Sequence, residues 1–247
     1  MLKRLFAVTL SLALITSAHA ASPVTIHLAG DSTMSIKRDE KRPETGWSEF
    51  LAQQFSPGAI VVDNRAMNGR STRTFIEEGR WQALIDATKP GDVVLIQFGH
   101  NDQSVEKPDR YTPPMDYARN LQRFVADVRA KAATPVLLTP LARRRFDEEG
   151  RVVASHGEYP DLVRVLAARE HVALIDMERR GTAVLQEAGV ENSKALFLWL
   201  APGEHMNYPQ GVQDNTHFSP KGAQRMAREF AAALRESDVA LSQRLQP

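Results

Sequence analysis

The chain contains no cysteine. That absence excludes a thiolate nucleophile, a Cys-ligated metal and disulfide cross-links. It also excludes a lipoprotein anchor, which needs a cysteine at its cleavage site. With 247 residues and 43% hydrophobic side chains, one sizeable core can form without cross-links. Charge of one sign is not in excess either: 31 Lys and Arg stand against 30 Asp and Glu. A near-neutral chain gives no reason to expect nucleic acid or an anionic membrane as partner. Internal repeats and low-complexity stretches are missing. So are His-Glu-x-x-His, a phosphate-cradling loop ending in Gly-Lys-Ser/Thr, and the Gly-x-Ser-x-Gly elbow of the α/β-hydrolases.

The longest apolar run lies at the N-terminus. Lys3 and Arg4 precede the stretch from Leu5 to Ile15, and Ala18-His19-Ala20 follows as a small-x-small cleavage site. This pattern reads as a secretory signal peptide over residues 1–20. The stretch is shorter than the ~20 apolar residues of a spanning helix, so no membrane association is expected after cleavage. Lys3 and Arg4 are its only basic residues, so the mature chain keeps 29 basic against 30 acidic residues. The remainder, 21–247, reads as a single domain, periplasmic or secreted.

Within that domain, five short apolar runs at 24–29, 60–63, 93–97, 135–139 and 172–176 read as strands. They are β-branched and nearly continuous in hydrophobicity, as strands covered on both faces should be. Helices are expected at 46–55, 80–88, 116–133, 158–170 and from Pro220 to about Leu234, the last with a Ser219 N-cap and proline at its first position. Alternating strands and helices imply an α/β fold with a parallel sheet and right-handed crossovers. Long polar loops at 37–45, 103–114, 141–157 and 201–216 are of the kind that shapes a site. A hairpin around Asp147-Glu148-Glu149-Gly150 is expected within the third.

Four distant segments carry chemistry. Gly30-Asp31-Ser32-Thr33 follows the first strand, Asn68-Gly69-Arg70-Ser71 the second, and Gly99-His100-Asn101-Asp102 the third. In a parallel sheet these positions share one rim, where ligands bind. Asp214-Asn215-Thr216-His217 lies before the final helix, on a loop free to fold over that rim. Acyl transfer needs such parts: a hydroxyl nucleophile, donors for an oxyanion, and a histidine oriented by a carboxylate. Ser32 supplies the hydroxyl. Asp214 and His217 form the one Asp-x-x-His in the chain. Gly69 lets its N–H approach a substrate oxygen, and Asn101 offers an amide. Taken singly, each has a plainer reading: helix cap, solvated surface pair, turn glycine, loop-stabilising asparagine. Asp31 and Asp102 read as scaffolding, and His27 as a satisfied core histidine.

With those residues in view, the chain resembles the SGNH (GDSL-like) hydrolases, and within them the rhamnogalacturonan acetylesterases of carbohydrate esterase family 12. Gly30-Asp31-Ser32-Thr33, Ala66-Met67-Asn68-Gly69-Arg70-Ser71, Phe98-Gly99-His100-Asn101-Asp102 and Asp214-Asn215-Thr216-His217 match the four family blocks. Gly-Asp-Ser-Thr and Gly-His-Asn-Asp, with Trp47 and Glu78-Gly79-Arg80, point to this subfamily.

The resemblance implies a flavodoxin-like three-layer α/β/α sandwich with a five-stranded parallel sheet in the order 2-1-3-4-5. It implies Ser32 as nucleophile, His217 as base, Asp214 as its partner, and Ser32 N–H, Gly69 N–H and the Asn101 amide as oxyanion donors. No cofactor or metal is called for. The expected substrate is an acetylated, carboxylate-bearing polysaccharide, with Arg70, Arg73, Arg80 and Arg143 to Arg145 as candidate cations and His205 as a further candidate contact. Xylan, peptidoglycan and lipid esters are the alternative substrates. A non-catalytic carbohydrate-binding protein on the same scaffold is the alternative from another class. A metal hydrolase built on Asp31, Asp102 and His217 is more remote.

Overall fold

The computed structural model describes residues 22–247; the leader read at residues 1–20 lies outside them. Strands β1 (Val24–Gly30), β2 (Ile60–Asn64), β3 (Val93–Gln97), β4 (Thr134–Leu138) and β5 (Ala173–Ile175) form one sheet in the order β2-β1-β3-β4-β5. Every neighbouring pair is parallel. Their continuous hydrophobicity has the expected cause. Ile26, Leu28, Leu95, Val136 and Leu138 enter the core on one side, while Ala29, Val94, Ile96 and Leu137 enter the core on the other.

The second core is closed by α1 (Thr72–Glu77), α2 (Arg80–Ala87), α3 (Pro114–Ala130) and α4 (Tyr159–Arg169), through Phe75, Trp81, Phe124 and Val163. The first is closed by α5 (Met177–Asn192) and α6 (Pro220–Arg235), with Met177, Val184, Met226 and Phe230. The result is the α/β/α sandwich with the expected strand order.

Three local expectations need correction. Residues 46–55 form two 3-10 turns, Trp47–Phe50 and Ala52–Gln54, instead of an α-helix. Trp47, Leu51 and Phe55 do recur at helical spacing and are all buried. The segment is nevertheless tied at both ends, Trp47 N–H to the Thr33 carbonyl and Ser56 N–H to the Arg244 carbonyl. A 3-10 turn rises ~2.0 Å per residue against ~1.5 Å in an α-helix, which suits a segment held at both ends.

Helix α5 had no counterpart in the sequence reading, because Gly181 and Gly189 weaken its helical pattern. Gly189 is non-helical and kinks it, whereas Gly181 is buried beside Ala142 with room for a methyl group. Asp176 caps its start by accepting from Arg179 N–H at 3.2 Å.

The third correction concerns Asp214 to His217. They lie on a strand, β7 (Val212–Phe218), paired antiparallel with β6 (Phe197–Leu200), and not on a loop. Phe197 and Phe218 pack 5.1 Å apart at the base of this hairpin. Residues 213–217 of β7 are all polar, so no apolar alternation marks it as a strand. The small turn expected near Asp147 is present, closed by a bridge between Phe146 and Val152.

The hairpin is fixed against α6 by close approach. Gly222, in the first turn of α6, leaves no room for a Cβ, which would run into the Leu196 carbonyl. Gly222→Ala should therefore cost about 1–3 kcal/mol or more in urea unfolding, the usual range for overpacking. A variant as stable as the parent would show that the hairpin gives way freely.

Candidate active site

Strands β1, β2 and β3 end side by side, and their loops meet at one rim. After Gly30 the chain turns sharply, because Asp31 Oδ1 accepts from both the N–H and the hydroxyl of Thr33, each at 2.9 Å. Ser32 sits at the bend with its Oγ 2.9 Å from His217 Nε2. His217 Nδ1 lies 2.7 Å from Asp214 Oδ2, so the carboxylate assigns the proton to Nδ1 and leaves Nε2 to accept from the serine. The other carboxylate oxygen, Oδ1, accepts from the backbone N–H groups of Thr216 and His217 at 2.7 and 2.9 Å. Burial alone would raise the Asp214 pKa. The His217 hydrogen bond and charge, together with those two N–H groups, outweigh it and hold the carboxyl at about 2.

Donors surround the serine. Neither Ser32 N–H nor Gly69 N–H has an acceptor among the described residues. Gly69 takes a φ of +76°, a conformation that glycine reaches without strain. Asn101 gives one amide hydrogen to the Arg70 carbonyl at 2.9 Å and keeps its second. All of these residues line one cavity of about 590 Å³, together with Asn68, His100 and Thr216. A hydroxyl, a base with a fixed tautomer and a set of uncommitted donors can together perform acyl transfer.

The GDSL-like lipase/acylhydrolase family matches residues 28–225. The chain belongs to that family. It is a carboxylic ester hydrolase. Among its relatives, rhamnogalacturonan acetylesterase RhgT of Bacillus subtilis (strain 168) is 45% identical, over 90% of this chain and 94% of that protein. The rhamnogalacturonan acetylesterase of Emericella nidulans is 28% identical, over 94% and 92% respectively. In fold, the hydrolase resembles a catalytic mutant of the acetylxylan esterase of Geobacillus stearothermophilus, with a TM-score of 0.64 at 21% identity, covering 87% of this chain and 95% of that one.

The hydrolase holds its blocks together with buried polar groups. Asp102 Oδ1 accepts from the N–H and hydroxyl of Thr72 at 2.8 and 2.6 Å, joining the β3 loop to the start of α1. Beneath the serine, Lys37 has no exposed side-chain surface. Its ammonium donates to the Ser32 carbonyl, to Ser35 Oγ at 3.2 Å and to Asn68 Oδ1 at 2.9 Å, and it pairs with Glu44 Oε1 at 2.8 Å. That Glu44 oxygen is 3.9 Å from His217 Nε2. Lys37 and Glu44 escaped the sequence reading, since a lone lysine and glutamate in a polar loop look like solvated surface. Their one trace is the length of loop 37–45.

The candidate cations divide. Arg70 and Arg143 line the cavity. Arg73 does not: it donates to the carbonyls of Tyr111 and Pro108 and pairs with Glu77, bracing a loop. Arg80 pairs with Glu78, itself held by Arg70. Arg144 is buried against Ser193, Asn215 and the Trp199 ring, and Arg145 is exposed outside the cavity. His205 is also outside it, accepting from Asn207 N–H at 3.2 Å. Its loop acts at one remove: Asn207 and Tyr208 donate to the carbonyls of Asp39, Arg42 and Lys41, supporting the segment that carries Glu44.

Three buried histidines are accounted for locally. His27 bonds Asp63 and Asp92 at 2.8 and 3.0 Å. His100 meets His156 at 2.9 Å, and burial keeps both neutral, drawing His156 down to about 3. Asp31 and Asp102 each spend an oxygen on a neighbouring threonine, and no group of three or more potential metal ligands occurs among the described residues.

Three outcomes are expected. Lys37→Met breaks a buried ion pair and should cost about 3–5 kcal/mol in urea unfolding. Lys37→Met combined with Glu44→Leu should recover part of that stability without recovering turnover of 4-nitrophenyl acetate, because Ser32 and Asn68 stay untethered. Burial raises the Asp102 pKa to about 7 against the opposing Thr72 hydrogen bonds. The folded state then holds a proton that the unfolded chain has lost above about 4. Stability on this account is full below pH 4 and declines as pH rises to 7. Asp102→Asn, which keeps the Oδ1 acceptor, should flatten that slope; an unaltered slope would exclude Asp102 as its source.

Proposed function

We propose that this hydrolase removes O-acetyl groups from pectic polysaccharide, rhamnogalacturonan first among them, through an acetyl-serine intermediate. One observation carries the reading: Ser32 Oγ, the His217 ring and the Asp214 carboxylate form an unbroken hydrogen-bonded line at 2.9 and 2.7 Å, at the wall of a polar cavity with cations on its rim. The 45% identity to a protein named as a rhamnogalacturonan acetylesterase supports the choice of substrate.

His217 Nε2 takes the Ser32 proton as Oγ attacks the acetyl carbonyl carbon. The carbonyl oxygen becomes an oxyanion facing Ser32 N–H, Gly69 N–H and Asn101 Nδ2. Collapse breaks the bond to the sugar oxygen, which leaves with the proton from Nε2. Water then attacks the acetyl-serine, giving its proton to Nε2. Acetate departs, and Ser32 regains its hydrogen. Asp214, ionised down to about pH 2, holds the Nδ1 proton and the ring orientation throughout.

The charged lining is a poor match for a long acyl chain, which disfavours lipid esters. We further propose export, on the N-terminal pattern of Lys3, Arg4 and the apolar stretch before Ala20. Intact-mass measurement of the native protein should then find Ala21 as the first residue.

Ser32→Ala and His217→Ala should each lower acetate release from acetylated rhamnogalacturonan by about 10⁴-fold or more while the circular dichroism spectrum is kept. Asn101→Ala should lower it by about 10²–10³. Retained activity in either of the first two variants would refute the assignment. Covalent labelling of Ser32 by a fluorophosphonate separates an enzyme from a non-catalytic binder. Acetylated xylan and homogalacturonan, assayed alongside, test the substrate.

A further inference from the structure

The cations at this cavity differ in how far the protein has already used them. Arg70 spends Nε and Nη2 on Glu78 and Nη1 on the Asn68 carbonyl. Arg143 is half-buried, with Nη2 on the His100 carbonyl and Nε sealed from solvent. Arg110 is otherwise disposed. Its Nε and Nη2 hold Asp109 at 3.1 and 3.0 Å, and its Nη1 has no acceptor among the described residues. That Nη1 stands over Gly69, where a Cβ would come within 3.2 Å of it. Lys107 lines the same cavity, and its ammonium also has no partner among the described residues.

Both side chains come from a loop that is held firmly. Lys107 N–H donates to Ser104, and the Arg110 and Tyr111 N–H groups donate back to Lys107, at 2.9–3.0 Å. From outside, Arg73 grips the Tyr111 and Pro108 carbonyls at 3.1 and 2.9 Å, and the Tyr159 hydroxyl grips Thr112 at 2.7 Å. With the loop backbone held in advance, only side-chain freedom is left to lose when a ligand arrives. Glu106 and Asp109 on the same loop offset the two positive charges, so long-range attraction is weak. What remains is local: the two hydrogens of Nη1, held beside Gly69 in the cavity that Ser32 also lines.

We propose that Arg110, assisted by Lys107, is a carboxylate subsite. It receives a uronate carboxylate of the glycan whose acetyl group lies at Ser32, and it selects acidic over neutral acetylated glycans. This rests on the acetyl-glycan reading above. Arg73, outside the cavity, serves the same subsite as a strut.

The test uses the full chain and two forms of one substrate, acetylated rhamnogalacturonan oligosaccharides with free carboxyls and the same oligosaccharides methyl-esterified. The ratio of kcat/KM for acid over ester should be about 10–100 in the parent enzyme, the usual worth of a charged hydrogen bond. Arg110→Met should bring it towards one, and Arg110→Lys should keep part of it. An equal loss on both forms would mean that Arg110 serves the oxyanion or the fold, and would overturn the subsite alone. So would a ratio of one in the parent, or an unaltered ratio in Arg110→Met. If the parent released no acetate from either form, the pectic reading and the subsite would both fall.

Discussion

An ammonium group without exposed surface holds the centre of this molecule together. Lys37 is bonded by acceptors from the β1 turn, the β2 turn and the loop around Glu44. An isolated charge in such a place would cost several kcal/mol, so its partners must stay where they are. Those partners include the carbonyl of the candidate nucleophile and the residue before Gly69. One buried cation thus sets the spacing between the two uncommitted N–H groups. It also places the Glu44 carboxylate within 4 Å of the imidazole that faces the serine.

The imidazole itself comes from the far end of the chain, 185 residues after Ser32. It is delivered by a two-stranded hairpin outside the main sheet, seated on α6 through Gly222 and closed by Phe197 and Phe218. A strand fixes side-chain direction more tightly than a loop. Within it, Asp214 divides its two oxygens, one for the ring and one for the backbone N–H groups of Thr216 and His217. The same carboxylate orients the imidazole and fixes the backbone that carries it.

Much of this was legible from residue order. The five strands show because strands buried on both faces must be apolar throughout. Ser32, Gly69, Asn101, Asp214 and His217 show because each motif follows a strand or precedes a helix, where a parallel sheet exposes its rim. Other features lack such a signal. Helix α5 is obscured by two glycines, one of which, Gly189, kinks it. Lys37 and Glu44 sit in a polar loop, where a buried charge and a solvated one read alike. Arg73 illustrates the converse error: read as a substrate cation, it is a brace for the loop bearing Lys107 and Arg110.

Residue order by itself determined the α/β architecture, the sheet rim at which the four segments gather, and the types of group assembled there. Hydrophobic periodicity and short motifs are local properties, and they survive in one dimension. Tertiary structure alone decided which charges are spent and which remain available. A guanidinium is committed or free according to the carbonyls and carboxylates within about 3 Å of it, and those arrive from segments tens of residues away. Arg70, Arg73 and Arg110 are alike as letters; only the folded neighbourhood makes one an ion-pair partner, one a strut and one an open donor over Gly69.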